Sequence, residues 1–316
     1  MNQVIYDVII IGSGPAGLAA GIYTSRGGLK ALLIEYFSPP SLAVTADLIE
    51  NYPGFPEGIN GFSLIERFKG QAKNFGLEFH TGKVDNIMPD KEKNIWQVKT
   101  ENKIYKTLTI ILAVGRSPKQ LGVPGEKEFG GKGVSYCAVC DGAFFKDKDI
   151  AVIGGGDSAV SEALFLSRFA DKVFLVHRRN RLRAVPILIQ RAKENKKIEF
   201  ILNSVVSQIY GKDKVEGIYL KNLIEGTQFQ IACSGVFISV GSIPNTDFLA
   251  DLVKLDSSGY IITDEAMQTS CSGIFACGDC RVKPLRQVVT ACGDGAVAGF
   301  SAIEYVERIK GKSYNG

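Results

Sequence analysis

Cys137-Ala-Val-Cys140-Asp141 is the stretch of this 316-residue chain whose residue types and spacing could do chemistry. Two cysteines separated by two residues can close a short-loop disulfide, and the same spacing stabilises one thiolate. Thiol–disulfide exchange needs a thiolate that attacks, a second that resolves the mixed disulfide, and a proton source. Asp141 is adjacent and can supply the proton. A histidine is hard to place in that role, because the chain has only His80 and His177, and His177 belongs to a basic segment. A second pair, Cys277 and Cys280, flanks Gly278-Asp279. These two read as packing residues, with an accessory redox role as the competing reading. A zinc site would have to combine the two pairs, so no metal is expected.

The dithiol lies between two elements suited to holding dinucleotides. Tyr6-Asp-Val-Ile-Ile-Ile11 is an apolar run of strand length and suits a buried parallel strand. Gly12-Ser13-Gly14-Pro15-Ala16-Gly17 follows, then a helical pattern. In such a fingerprint the first glycine allows the tight turn and the second lets a pyrophosphate approach the backbone. The third allows close helix–strand packing. The next strand, Ala31–Ile34, ends at Glu35, an acid placed to bind ribose hydroxyls.

A second apolar strand, Asp149–Ile153, runs into Gly154-Gly155-Gly156-Asp157-Ser158-Ala159, a GxGxxA variant, with Glu162 on the helix that follows. Here the next strand, Val173–Val176, ends in His177-Arg178-Arg179, with Arg183 beyond. A carboxylate at that place would repel a 2′-phosphate, whereas paired guanidiniums hold one bidentately. The site is therefore expected to take NADPH in preference to NADH. A solvated basic face or a nucleic-acid patch is the competing reading, and the position at the end of the second strand argues against both.

The halves repeat beyond the glycines. Ile111-Leu-Ala-Val-Gly115-Arg-Ser-Pro118 resembles Phe237-Ile-Ser-Val-Gly241-Ser-Ile-Pro244, and each follows β-type alternation. We infer an α/β chain of two Rossmann-like, three-layer ββα dinucleotide-binding domains, the second inserted into the first. The expected division is 1–114 with 245–316, and 115–244, the VGxxP elements being the crossings. Gly273-Ile-Phe-Ala-Cys277-Gly278-Asp279 reads as a strand ending at a ligand-facing Gly-Asp, and Gly295–Ile309 as a closing helix.

The net charge of +4 is too small to argue for nucleic acid or a membrane surface, and the longest apolar runs are far shorter than a membrane span. The N-terminus lacks the pattern of a signal peptide. Seven cysteines, an odd number in a chain too large to need disulfide staples, suit a reducing compartment. A cytoplasmic location is expected.

With these residues in hand, the chain resembles the low-molecular-weight thioredoxin reductases of bacteria and archaea over essentially its whole length. The carriers are Gly12–Gly17, Glu50-Asn-Tyr-Pro-Gly-Phe55, Cys137-Ala-Val-Cys-Asp-Gly142, Gly154–Ala159, His177-Arg-Arg179 with Arg183, and Gly278-Asp279 followed by Arg286-Gln287-Val288. The resemblance implies FAD in the first domain and NADPH in the second. It implies that Thr45 and Asn51 lie near the isoalloxazine, that Asp279 binds the ribityl chain, and that Arg286, Gln287 and Val288 cover the pyrimidine side. It implies hydride transfer from NADPH to flavin, reduction of Cys137–Cys140 with Cys140 nearer the flavin, and attack of Cys137 on thioredoxin. It also implies a swinging NADPH domain, with hinges near Gly115 and Gly241, and a homodimer. One departure stands out. The family commonly has Gly-Gly-Gln-Leu after the first acid, where this chain has Ser38-Pro39-Pro40-Ser41-Leu42. Prolines lack the N–H groups that glycines offer, so FAD would be held differently, or more weakly, on this side.

Other readings keep the fold and change the role. Ferredoxin, another flavin or NADH could be the donor, or a glutaredoxin-like or peroxiredoxin-linked protein the acceptor; the intact basic segment favours NADPH. A flavin-bound redox sensor without turnover is the reading from a different class. Both fingerprints, the dithiol and Asp141 together argue against it.

Overall fold

The computed structural model describes residues 4–36, 41–90 and 94–311. Ser38, Pro39 and Pro40 of the departing loop lie outside them. The chain divides into two compact units, Met1–Ser117 with Ile243–Gly316, and Pro118–Ser242. The chain crosses between them along two short strands, Arg116–Pro118 and Ser242–Pro244, which pair with each other.

In the first unit, Ile5–Ile11 is flanked on both sides by parallel neighbours, Ala31–Glu35 and Ile104–Leu112. A strand buried on both faces is apolar throughout rather than alternating, and Val8, Ile9 and Ile10 are fully buried. Glu78–Thr81 adds beyond Ala31–Glu35. Ile104–Leu112 does two jobs. Its first half closes an antiparallel meander with Ile95–Thr100 and Val84–Asp90, and its last residues pair in parallel with Ile274–Ala276. Helix Pro15–Arg26 packs against the sheet and against the final helix, Val288–Ile309. That helix pair is close because a Cβ on Gly295 would fall 2.1 Å from the Ala16 carbonyl oxygen.

The second unit repeats the plan. Ile150–Gly154 is central, with Val173–Val176 and then Ile198–Ile201 on one side and Gly235–Ser239 on the other, all parallel. Ser204–Gly211, Val215–Asn222 and Gln228–Ala232 form the meander. A two-residue strand, Val134–Ser135, pairs in parallel with the outer side of Gly235–Ser239.

Register makes the repeat quantitative. Ile111 pairs with Phe275 in the first unit, and Phe237 pairs with Ser135 in the second. Ile111–Gly115 and Phe237–Gly241 are the matching segments of the repeat. Phe275 therefore corresponds to Ser135, Cys277 to Cys137, and Cys280 to Cys140. Both Cys-x-x-Cys segments leave the same edge strand at the same step. Both then turn into a single short helical turn, Gly278–Cys280 in one unit and Ala138–Asp141 in the other.

Candidate active site

Cys137 and Cys140 form a disulfide, with their Cα atoms 5.3 Å apart across one helical turn. Cys137 is the N-cap of that turn, and its sulfur accepts the Cys140 N–H at 3.2 Å. Cys137 is half-buried and Cys140 exposed. Asp141 ends the turn and accepts a 2.6 Å hydrogen bond from the Ser135 hydroxyl. Upstream, the Tyr136 hydroxyl and the backbone N–H groups of Leu121 and Gly122 all donate to buried Glu126. That carboxylate ties the entering loop to the residue before Cys137. Burial pushes Glu126 up, but these donors outweigh it and hold the carboxyl below its ordinary range.

Cys277 and Cys280 contrast sharply with this pair. Both are free and fully buried, and the Cys280 sulfur donates to the Cys277 and Leu112 carbonyls. Burial pushes Cys277 well above the usual thiol range and Cys280 up to about 11. A thiolate is the exchanging species, so burial works against exchange at Cys277 and Cys280.

The first fingerprint holds its turn tightly. Gly12 has φ +110°, and a Cβ there would fall 2.3 Å from the Ala113 carbonyl oxygen. Gly17 packs its Cα against Gly12, where a Cβ would meet the carbonyl oxygen at 1.9 Å. Gly14 caps helix Pro15–Arg26 and meets only the Ser41 hydroxyl, so the face toward a pyrophosphate is open. Glu35 ends its strand as expected, but both its oxygens lie 2.9 Å from Lys69 Nζ. Ribose hydroxyls there would share the carboxylate with Lys69. The Asn51 side-chain amide donates to Gln287 at 3.1 Å, joining two segments far apart in sequence. Thr45 donates to the Leu42 carbonyl, and Val288 opens the final helix behind the Gln287–Thr290 capping box. Arg286 lies over the Tyr260 ring.

Behind these residues lies a buried ion cluster. Asp294 accepts from Lys283 Nζ at 2.6 Å and from the Gly278 N–H at 3.1 Å, with Arg281 at 3.6 Å. Burial pushes Asp279 up, opposed by the charges of Lys283, Arg116 and Arg286.

In the second unit, Gly156 caps helix Asp157–Leu166 and has nothing near its missing Cβ. Ser158 is exposed there, while Ala159 is buried under the turn. A Cβ on Gly155 would fall 2.3 Å from the His177 ring, so that imidazole lies directly under the glycine turn. Burial, then the charges of Arg183, Arg179 and Arg178, push His177 down, which keeps it neutral. The His177 ring thus underlies the turn, and its Nε2 has no hydrogen-bond partner among the described residues. Exposed side chains just past the strand end include Arg178, Arg179, Asn180, Arg181 and Arg183. Asp157 is committed to the Val185 N–H at 2.8 Å, and Arg183 donates its N–H to the Gly155 carbonyl, so the basic loop is laced to the fingerprint. Glu162 bonds Ser239 at the end of the neighbouring strand, and burial pushes it up to about 8.

The model of one protein family, described as pyridine nucleotide-disulphide oxidoreductase, matches residues 6–295. The chain belongs to that family. Within it, the chain is 48 % identical to a thioredoxin reductase of Listeria monocytogenes, covering 98 % of this chain and 96 % of that one. It is 47 % identical to a thioredoxin reductase of Bacillus subtilis, at 98 % and 97 % coverage. The solved thioredoxin reductase of Lactococcus lactis superposes with a TM-score of 0.92 at 45 % identity, covering 96 % of this chain and 99 % of the other. The resemblance to thioredoxin reductases is therefore carried by full-length relatives as well as by motifs.

A pyridine nucleotide-disulphide oxidoreductase needs a flavin and a nicotinamide cofactor, and the residues present fit both. Asp279 Oδ1, Arg286 Nε and His177 Nε2 are buried polar atoms without a hydrogen-bond partner among the described residues. Such atoms are costly unless something pairs with them. Two of them border the first fingerprint's unit and one lies under the second fingerprint. Among the described residues, no group of three or more His, Cys, Asp or Glu could hold a metal ion. No helix of these residues is long and apolar enough to cross a membrane.

Sequence reasoning passed over Ser135, Glu126, Lys69, Lys283 and Asp294. The last two are eleven positions apart on a loop and a helix, and only the fold brings them together. Ser135 had a readable signal, two residues before the first cysteine, but its bond to Asp141 depends on the turn between them.

Proposed function

We propose that the chain is an NADPH-dependent thioredoxin reductase, with FAD held by the unit of Met1–Ser117 and Ile243–Gly316 and NADPH by Pro118–Ser242. The observation that carries this reading is the Cys137–Cys140 disulfide, partly open to solvent and hydrogen-bonded to Asp141 through its neighbours. It lies in the unit whose second strand ends at Arg178-Arg179. Phe144, 73 % exposed just past the dithiol, supports a protein rather than a small disulfide as acceptor.

When bound, the nicotinamide supplies a hydride and the flavin passes its two electrons to the disulfide. The chain's own residues do the rest. Arg178, Arg179 and Arg183 take the 2′-phosphate, and the turns at Gly14 and Gly156 admit pyrophosphates. Asp279 accepts from the ribityl chain, with Arg286, Gln287 and Val288 over the pyrimidine edge and Thr45 and Asn51 beside the isoalloxazine. Cys140 receives the electrons, Cys137 attacks thioredoxin, and Asp141 holds the proton that the sulfurs exchange. The two sites take turns, with Gly115 and Gly241 as hinges; both have positive φ and open space where a Cβ would be. The five free cysteines support a reducing compartment, the cytoplasm. The apolar stripe of Val289, Val297 and Phe300 on the final helix supports a homodimer.

The test is steady-state reduction of a thioredoxin disulfide with each nucleotide. Arg178→Ala with Arg179→Ala should raise the KM for NADPH at least about tenfold and leave that for NADH nearly unchanged, since each charge-assisted pair is worth roughly 1.5–3 kcal/mol. An equal effect on both nucleotides would refute the 2′-phosphate role.

A further inference from the structure

The molecule contains its own control for what makes a Cys-x-x-Cys pair reactive. Cys277–Cys280 and Cys137–Cys140 leave corresponding edge strands in the same register. One pair is buried and its thiols are held protonated; the other forms the disulfide at the surface. Apart from exposure, the residues around the cysteines differ: Tyr136 stands where the first unit has Ala276, and Val139 where it has Asp279. Ser135 stands where the first unit has Phe275, and Asp141 stands where it has Arg281. In the second unit these two residues bond each other at 2.6 Å. In the first unit, Phe275 is core and Arg281 turns to Thr263 and Asp294.

Ser135 is 5 % exposed, so its hydroxyl is not shared with bulk water. Its oxygen accepts the Cys137 N–H at 3.0 Å. Its single proton has two acceptors in reach, Asp141 Oδ2 at 2.6 Å and the Cys137 carbonyl at 3.3 Å, and the shorter bond is the stronger. The hydroxyl therefore joins the backbone of the first cysteine to one oxygen of the acid. The second oxygen, Oδ1, is not the one that Ser135 holds.

We infer that Ser135 is a positioning residue for the dithiol step, which holds Asp141 by Oδ2 so that Oδ1 serves the sulfurs. This rests on the reading of Asp141 as the proton source. Breaking the Sγ–Sγ bond takes two electrons, which a bound flavin would supply, and leaves two thiolates. One proton passes from the Asp141 carboxyl to one thiolate, giving a thiol and a carboxylate. The Ser135 hydroxyl stabilises that carboxylate without moving. When the dithiol later attacks a partner disulfide, the thiol returns its proton to Oδ1 and the acid is restored. A pre-set hydroxyl lowers the cost of orienting the acid at each transfer.

The test is a double-mutant cycle on the holoenzyme. It follows thiol formation at Cys137–Cys140 after a single reduction by NADPH, with flavin reduction as the internal reference. Asp141→Asn should slow thiol formation about a hundredfold, as for loss of a general acid. Ser135→Ala should slow it about tenfold with flavin reduction unchanged, and Ser135→Thr, which keeps the hydroxyl, should restore most of the rate. In the Asp141→Asn background, Ser135→Ala should have no further effect, because a residue acting through another is non-additive with it. A native rate in Ser135→Ala would overturn the proposal, as would the same tenfold loss in both backgrounds. A native rate in Asp141→Asn would instead overturn the reading of Asp141 itself.

Discussion

Glu162 shows how a single side chain can work against the fold that holds it. It sits on the helix after the second fingerprint, hydrogen-bonded to Ser239, and burial pushes it from 4.5 up to about 8. A carboxyl raised in the folded state contributes its stability below the unfolded value, and loses it as pH rises through the folded value. The window here runs from about 4.5 to about 8. Glu162→Gln should therefore raise the melting temperature of nucleotide-free protein above pH 8 by several degrees and leave it nearly unchanged near pH 4.5, as read by thermal melts at the two pH values. An equal gain at both would mean that the charge is not responsible. The cysteines carry the same lesson. Desolvation that keeps Cys277 and Cys280 protonated makes them packing residues, which is how their position beside Gly278-Asp279 read in the sequence.

At the scale of elements, the site depends on short connections rather than long ones. The turn Gly278–Cys280 is fastened to the final helix through Asp294, and Asp294 is neutralised by Lys283, whose side chain is 5 % exposed. Removing one partner of a buried pair strands the other charge, at about 3–5 kcal/mol. Arg281 stays 3.6 Å from Asp294, so Lys283→Met should cost up to that much in urea unfolding, and adding Asp294→Asn should recover part of it. A loss below about 1 kcal/mol would put the pair among solvent-screened surface bridges. The long elements were legible in the sequence because their apolar runs and glycines obey local rules, as at Ile5–Ile11 and Ile150–Gly154. Val134–Ser135 was not legible. Two residues have no periodicity, and only pairing with Gly235–Ser239 makes them a strand.

At the scale of the whole molecule, two copies of one plan carry different loads at the same address. The edge strand that comes last in the first unit comes first in the second. One address therefore holds the buried Gly278-Asp279 turn and the other the dithiol. The final helix presents Val289, Val297 and Phe300 on one outer face, Phe300 being 56 % exposed. Phe300→Lys should convert the proposed homodimer to a monomer in sedimentation velocity. It should leave the unit's fold intact, since the side chain is outside the core. A native sedimentation coefficient would remove this face from the interface.

Residue spacing alone determined the two fingerprints, the dithiol, the basic segment at Arg178 and the repeat. Each of these is local chemistry, in which a glycine, a cysteine or an arginine has meaning within a few positions of its neighbours. Tertiary structure alone decided how deeply each cysteine pair is buried, since burial and access are set by strands distant in sequence. It alone set the His177 ring beneath Gly155, where burial and the neighbouring arginines push it down. It also paired Glu35 with Lys69, and Asp294 with Lys283. Charges so placed acquire their partners, and hence their chemistry, only when the chain has folded around them.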